Sequence, residues 1–222
     1  MTLLEITNLK KAYKSPDGEI LDIIDIPSFT LNKGEQLALH GASGSGKTTF
    51  LNLIAGILKG DTGTIKLSGS DLTDCSESRR DQIRADHVGY IFQTFNLLQG
   101  YTALENVVMG LRFSHQYDSS KAKKLLDRVG LKDRMNYKPN QLSVGQQQRV
   151  AVARALAKAP KLVLADEPTG NLDFRRAKES LALIREICQE ANSALILVSH
   201  DRDILAQFKN VKELSKINQV AA

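Results

Sequence analysis

Gly41-Ala42-Ser43-Gly44-Ser45-Gly46-Lys47-Thr48 satisfies the pattern G-x-x-x-x-G-K-[ST] at every specified position. The residue types suit a polyphosphate. Such an anion needs many donors and little bulk, and glycines let backbone N–H groups close round its oxygens. Lys47 adds a mobile point charge for the outer phosphates, and Thr48 offers a hydroxyl to Mg²⁺. Thr49 follows directly and belongs to the same expected contact set.

Two other apolar runs end in titratable groups. Lys161-Leu162-Val163-Leu164-Ala165-Asp166-Glu167-Pro168 finishes on two carboxylates. Asp166, at a strand tip beside a phosphate loop, suits Mg²⁺ through water. Glu167, one residue on, leaves the strand in a different direction and suits a general base for an attacking water. Ala194-Leu195-Ile196-Leu197-Val198-Ser199-His200 is a second such run. Its terminal imidazole can contact the γ-phosphate and the water.

Leu142-Ser143-Val144-Gly145-Gln146 precedes a helical pattern in which Val150, Ala153 and Leu156 share a face, with Pro160 beyond it. Ser143 and Gln146 have capping-box spacing, so one reading is a well-capped helix. The same atoms also make a second anion site, a helix N-terminus with Ser143 and Gly145 but no lysine of its own. A chain with both features can offer the second to a neighbour's nucleotide. A head-to-tail homodimer would place two ATP molecules at its interface, each clasped from both sides, an arrangement that spacing alone does not give.

These groups need a scaffold, and the flanking sequence supplies one. Gln36-Leu37-Ala38-Leu39-His40 reads as a buried strand entering the glycine loop. Phe50, Leu51, Ile54, Ile57 and Leu58 then recur at helical spacing until Gly60. The helix N-terminus therefore faces the anion. Thr2 to Lys66 is otherwise strand-rich, with a turn at Ser15-Pro16-Asp17-Gly18 and a short strand between Gly63 and Gly69. Val88-Gly89-Tyr90-Ile91-Phe92 reads as a further buried strand ending at Gln93.

From about Thr102 to Tyr137 the pattern turns helical. Thr102 and Glu105 form a capping-box signature before Val107, Val108 and Leu111. Ala122, Leu125, Leu126 and Val129 make a second stripe that Gly130 terminates. Core α/β elements resume at Lys161. The chain thus reads as an α/β nucleotide-binding fold with a helical insertion.

Composition sets outer bounds. The 222 residues, 42% hydrophobic and 25% charged, are ordinary for a globular chain with a large core. A net charge of +5 permits an anionic partner or a membrane surface without demanding nucleic acid. The two cysteines, Cys75 and Cys188, lie far apart and in no metal-ligand spacing. Cys188 shares a helical face with Ala177, Leu181 and Ile184 and is expected to be a buried thiol. No apolar run approaches the ~18 residues that cross a bilayer, and the first residues do not resemble a signal peptide. Work at a membrane would need another chain to supply the span.

Taken together, the motifs resemble the ABC ATPase family. Six appear in the family's order: the Walker A loop from Gly41 to Thr48, a Q-loop glutamine at Gln93, the signature from Leu142 to Gln146, Walker B ending at Asp166 and Glu167, a D-loop at Asn171-Leu172-Asp173, and a switch histidine at His200. The resemblance implies a P-loop NTPase (RecA-like) core with an antiparallel β subdomain and an inserted α-helical subdomain over about residues 94–145, all within one cassette spanning 1–222. It implies an ATPase in which Lys47, Gln93, Glu167 and His200 serve catalysis and Thr48, Gln93 and Asp166 arrange Mg²⁺. Nucleotide contacts are expected from residues 41–49, namely Gly41, Ala42, Ser43, Gly44, Ser45, Gly46, Lys47, Thr48 and Thr49. Ser143, Gly145 and Gln146 add contacts from the second copy. Tyr13 stands where family members stack an aromatic on adenine.

Asp166-Glu167-Pro168-Thr169-Gly170-Asn171-Leu172-Asp173, with the segments Phe92–Leu98 and Thr102–Val107, is similar to the LolD, MacB and FtsE subgroup. That likeness implies a subunit on the cytoplasmic face of the inner membrane, powering a separate permease of the lipoprotein-release or efflux type. An FtsE-like ATPase that signals to a membrane partner without moving a substrate is the alternative. No nucleic acid partner is expected of a single cassette without a coiled coil or cysteine cluster. Phe95, Leu97 and Leu98 read equally as contacts for the permease or as ordinary burial. Val144 departs from the family's Leu-Ser-Gly-Gly-Gln, and is expected to be tolerated in ordinary helical or extended dihedrals. Phe174-Arg175-Arg176 after the D-loop is also unusual and is expected to alter dimer coupling.

Overall fold

Two sheets bury the apolar runs of this sequence in different ways. The computed structural model describes residues 1–112 and 118–220. The chain opens with β1 (Thr2–Lys14), β2 (Ile20–Asn32) and β3 (Gln36–His40), then α1 (Lys47–Ile54), β4 (Thr62–Leu67) and β5 (Ser70–Asp71). Next come α2 (Glu77–His87), β6 (Val88–Ile91), α3 (Ala103–Arg112), α4 (Ser119–Arg128) and α5 (Val144–Leu156). The last elements are β7 (Leu162–Asp166), α6 (Phe174–Glu190), β8 (Ala194–Val198), α7 (Arg202–Leu205) and β9 (Asn210–Glu213).

One sheet, in the order β2-β1-β4-β5, is antiparallel throughout. The other, β6-β7-β8-β3-β9, is wholly parallel. A parallel sheet is covered on both faces, so its strands are continuous apolar runs, and here the two-residue period sorts them between two cores. Leu162 and Leu164 of β7 join the core shared with β1, β2 and α1, whereas Val163 and Ala165 face the helices. Ile196 and Leu197 of β8 divide in the same way, as do Leu37 and Ala38 of β3. The helical side packs α3, α4, α5 and α6 through Val107, Leu111, Leu126, Val150, Leu181 and Ile184. Cys188 lies in that core, and its burial pushes the thiol up to about 12.

Helix boundaries follow the signals in the sequence with two exceptions. Thr102 and Glu105 do form a capping box, through Thr102 N to Glu105 Oε2 at 2.7 Å and Glu105 N to Thr102 Oγ1 at 3.2 Å. Gly130 takes φ +74° at the end of α4. The helix after the phosphate loop, however, stops at Ile54 rather than running towards Gly60, because Gly56 turns to φ +68° and leaves Ile57 exposed. The second exception is α2, which carries no apolar stripe. Only Ile83 of its eleven residues is buried.

After Gln93 the chain makes a tight left-handed turn, with Phe95 at φ +58° and Asn96 at φ +47°. Arg154 on α5 donates to the carbonyls of both, at 2.6 Å each. Phe95 and Leu97 lie buried in the helical core and Leu98 is exposed, so burial is what the first two do. The buried Asn106 amide closes the loop, accepting from Leu98 N at 2.8 Å and donating to the carbonyls of Leu98, Tyr101 and Thr102.

Candidate active site

Ligands in open parallel sheets bind beyond the carboxyl ends of the strands, and the apolar runs with chemical endings converge there. Register makes this concrete. Asp166 pairs with Val198, and Val198 with Leu39, so one row crosses β7, β8 and β3. The residues just past that row are Glu167, Ser199 and His200, and the start of the glycine loop at Gly41.

A cavity of about 630 Å³ opens at this edge. Gly41, Ser43, Gly44, Gly46, Lys47, Thr48 and Thr49 of the loop line it together with Gln93, Asp166, Glu167 and His200. Tyr13, near the end of β1, also lines the cavity and is 41% exposed. Ala42 and Ser45 belong to the loop but not to that lining. Ser45 N donates to Ala42 O at 3.2 Å, and the Ser45 hydroxyl is buried without a partner. Gly46 caps α1 at φ +89°. A Cβ there would stand 3.0 Å from the Ile23 carbonyl oxygen, so only glycine brings the loop this close to β2. Ile23 itself lines the cavity. No chemistry-bearing residue type announced it, since in the sequence it is one apolar position of an alternating strand.

The two carboxylates at the end of β7 have separate partners. Asp166 Oδ2 accepts a hydrogen bond from Thr48 Oγ1 at 2.8 Å. Burial raises the Asp166 carboxyl above its usual range and the neighbouring Glu167 charge adds to this, while the Thr48 hydrogen bond and Lys47 oppose it. Glu167 takes φ +45°, uncommon for a residue with a side chain and of order 1–3 kcal/mol in cost. Its N–H donates to Val198 O at 3.0 Å, which holds the turn against β8. Glu167 Oε1 then lies 2.8 Å from His200 Nδ1. Lys47 Nζ donates to the carbonyls of Gly41 at 2.9 Å and Ala42 at 2.6 Å, folding over the loop it belongs to.

Neighbouring segments are tied to this edge. Asn171 Nδ2 donates to Gln93 O at 3.1 Å, so the residues after β6 and β7 share a contact. Gln148, buried on α5, donates through Nε2 to Pro168 O at 2.5 Å, joining the helix to the turn after Glu167.

Ser143, Gly145 and Gln146 are not part of this cavity. They sit on a separate cavity of about 280 Å³ lined by residues of α5 and α6 and by Gly130, Leu131 and Leu172. Gln146 N donates to Ser143 Oγ at 3.3 Å and Ser143 N to Gln146 Oε1 at 2.9 Å, a complete capping box. Val144 is the first helical residue, half exposed, and absent from the positions of positive φ, so its branched side chain causes no strain. The single chain therefore brings the phosphate loop, Gln93, Asp166, Glu167 and His200 together and leaves the signature turn apart.

Comparison with known proteins agrees on one family. Residues 24–170 match the sequence profile described as "ABC transporter". The chain is 44% identical over 210 residues to the lipoprotein-releasing system ATP-binding protein LolD of Shewanella frigidimarina, covering 92% of this chain and 87% of that protein. It is 40% identical over 207 residues to the macrolide export ATP-binding/permease protein MacB of Rhodopirellula baltica, covering 91% of this chain and 30% of that protein. Among solved structures it is similar to the dimeric post-hydrolysis state of the ATP-binding cassette MJ0796 bound to ADP and Pi. The TM-score is 0.85 at 34% identity, over 95% of this chain and 94% of that one.

Proposed function

Because this chain belongs to the ABC transporter family and is one of its nucleotide-binding ATPases, we propose that it hydrolyses ATP at a site shared between two copies, to drive a membrane permease of the lipoprotein-releasing kind. One observation carries the reading. The phosphate loop, Gln93, two carboxylates and a histidine from four different strand ends line a single cavity.

In this reading Tyr13 stacks on the adenine, and the loop amides with Lys47 hold the phosphates. Water attacks the γ-phosphorus, the bond to the β–γ bridging oxygen breaks, and ADP leaves with that electron pair. Glu167 accepts the proton of the attacking water, and His200, 2.8 Å from the carboxylate, steadies base and water. Mg²⁺ suits the remaining donors. Thr48 and Asp166 present hard oxygen ligands in contact with each other, and Asp166 is a buried carboxyl that a dication would compensate. Gln93, which lines the same cavity, would supply a side-chain oxygen to the ion. When bound, such an ion neutralises charge developing on the phosphate oxygens.

The signature turn, lying outside the cavity, is offered to the nucleotide of a second copy in a head-to-tail dimer. All of 1–222 then acts as one cassette, with the helices of about 94–145 presenting that turn. None of the helices among the described residues is long and apolar enough to cross a membrane; in this reading the span belongs to the permease, and the cassette works at the cytoplasmic face. A groove of about 880 Å³ between α2 and α3, with Tyr90, Phe92 and Met109 in its walls, is a place for the permease to bind.

The test is Glu167→Gln. The amide keeps the size and can still hydrogen-bond His200, but cannot take a proton. Turnover should fall by about 10²–10⁴-fold while ATP binding, followed by a fluorescent analogue, stays near that of the native chain. Turnover close to native in this variant would remove Glu167 as the base.

A further inference from the structure

Tyr13 stands on a part of β1 that most of its sheet does not support. Strand β4 pairs with β1 only as far as Lys10, opposite Thr62. Beyond that point β1 pairs, among the described residues, only with β2: Ala12 with Asp22, Tyr13 with Leu21 and Lys14 with Ile20. A two-stranded ribbon is marginal by itself, and a ring that stacks on a ligand gains from being held in place beforehand. The ladder also slips here. Lys11 faces Ile24 and Ala12 faces Asp22, so Ile23 is the extra residue of a β-bulge, and it lines the same cavity as Tyr13.

Asp61, the residue before β4, takes over the free edge of β1. Its N–H donates to Lys10 O at 2.8 Å, and its Oδ2 accepts from Ala12 N at 2.7 Å. The carboxylate thus carries the β4 side of the ladder on to the residue next to Tyr13. Its other oxygen, Oδ1, lies 2.6 Å from Lys11 Nζ, and that ammonium stands 5.5 Å from the centroid of the Tyr13 ring. Asp61 therefore reaches Tyr13 by two routes, one through the backbone and one through Lys11. The hydrogen bonds from Lys11 and then Ala12 hold the Asp61 carboxyl below the usual carboxylate range, so it is ionised at neutral pH. With the Asp61 side chain 46% exposed, the ion pair adds little by itself. The charge-assisted bond to a main-chain N–H is the stronger tie, and it fixes a strand rather than a single side chain.

We propose that Asp61 is a positioning residue for the nucleotide base: it holds Ala12 and Lys11 so that the Tyr13 ring is set for stacking before the nucleotide arrives. The proposal rests on the reading that Tyr13 stacks on adenine. Asp61 does not line the cavity, and its effect on the ligand passes through Tyr13.

The experiment is a double-mutant cycle on ADP affinity, measured by calorimetry with Mg²⁺ present. Tyr13→Ala should weaken ADP about tenfold, as loss of one base–aromatic stack does. Asp61→Ala should weaken it about three- to fivefold, since the ring remains but is no longer held. Asp61→Asn keeps an acceptor for Ala12 N and should lose about twofold. In the Tyr13→Ala background neither Asp61 substitution should cost anything further, a result that a merely structural role would not give. Asp61→Asn carries the same cycle if Asp61→Ala melts below the assay temperature. An Asp61 loss of equal size in both backgrounds, or no loss in the native background, overturns the proposal while leaving the Tyr13 reading intact. Native-like ADP affinity in Tyr13→Ala removes the base-stacking reading itself, and the proposal with it.

Discussion

Chemistry at the end of β7 depends on giving adjacent carboxylates different surroundings. Asp166 is buried against Thr48, and Glu167 is turned by a positive φ to meet His200. The sequence carried the residue types, because an apolar run that ends in Asp-Glu beside a phosphate loop admits few other uses. It carried no sign of the left-handed Glu167 backbone, which depends on the pairing of its N–H with Val198 across the sheet. Burial raises the Asp166 carboxyl, so in the absence of a cation the folded chain holds that proton more tightly than the unfolded chain does. Stability from this group is therefore present at low pH and lost as pH rises through the raised value. Asp166→Asn, which keeps a partner for the Thr48 hydroxyl, should melt higher than the native chain at neutral pH without Mg²⁺. It should also lose Mg²⁺-dependent turnover. Melting curves and an ATPase assay check both, and a lower melting temperature would show that the buried charge is already compensated within the chain.

Elements were legible where burial follows a period. Strands β3, β7 and β8 are entirely or nearly buried and stand out as apolar runs, and α3 and α5 declare themselves by capping boxes that the structure forms in full. Helix α2 was not legible, since a single buried residue leaves no stripe to read. It is held from outside. Lys158, just beyond α5, donates to the carbonyls of Arg84, at 3.1 Å, and Ala85, near the end of α2. Burial lowers the Lys158 ammonium to about 8 from an ordinary 10.5. Between those values the folded chain binds fewer protons than the unfolded one, so this group contributes more stability as pH rises. Relative to Lys158→Met, the native chain should gain melting temperature between about pH 8 and 10.5. A difference that stays flat across that range would mean the ammonium is solvated after all.

At the scale of the whole molecule, the sequence placed a second anion site on α5 but could not say how far it lies from the phosphate loop. Distances across a fold come from packing, and the structure answers with two cavities: one lined by the loop, Gln93, Asp166, Glu167 and His200, the other by Ser143 and Gly145. What the linear pattern missed entirely is the approach of Arg176 to the signature turn, since the two are thirty-one residues from Gly145 to Arg176 and meet only through the packing of α6 beside α5. A single chain thus lines two separate cavities, which the proposed function gives to two different nucleotides. The most direct test is complementation between two inactive variants. Lys47→Ala destroys the loop of one copy and Ser143→Ala the signature turn of the other, and ATPase activity is measured for each alone and for the mixture. Either variant alone should turn over slowly and the mixture should show a clear gain, because one mixed site joins an intact loop to an intact Ser143. Full turnover by Ser143→Ala alone, or a mixture no more active than its components, would contradict it.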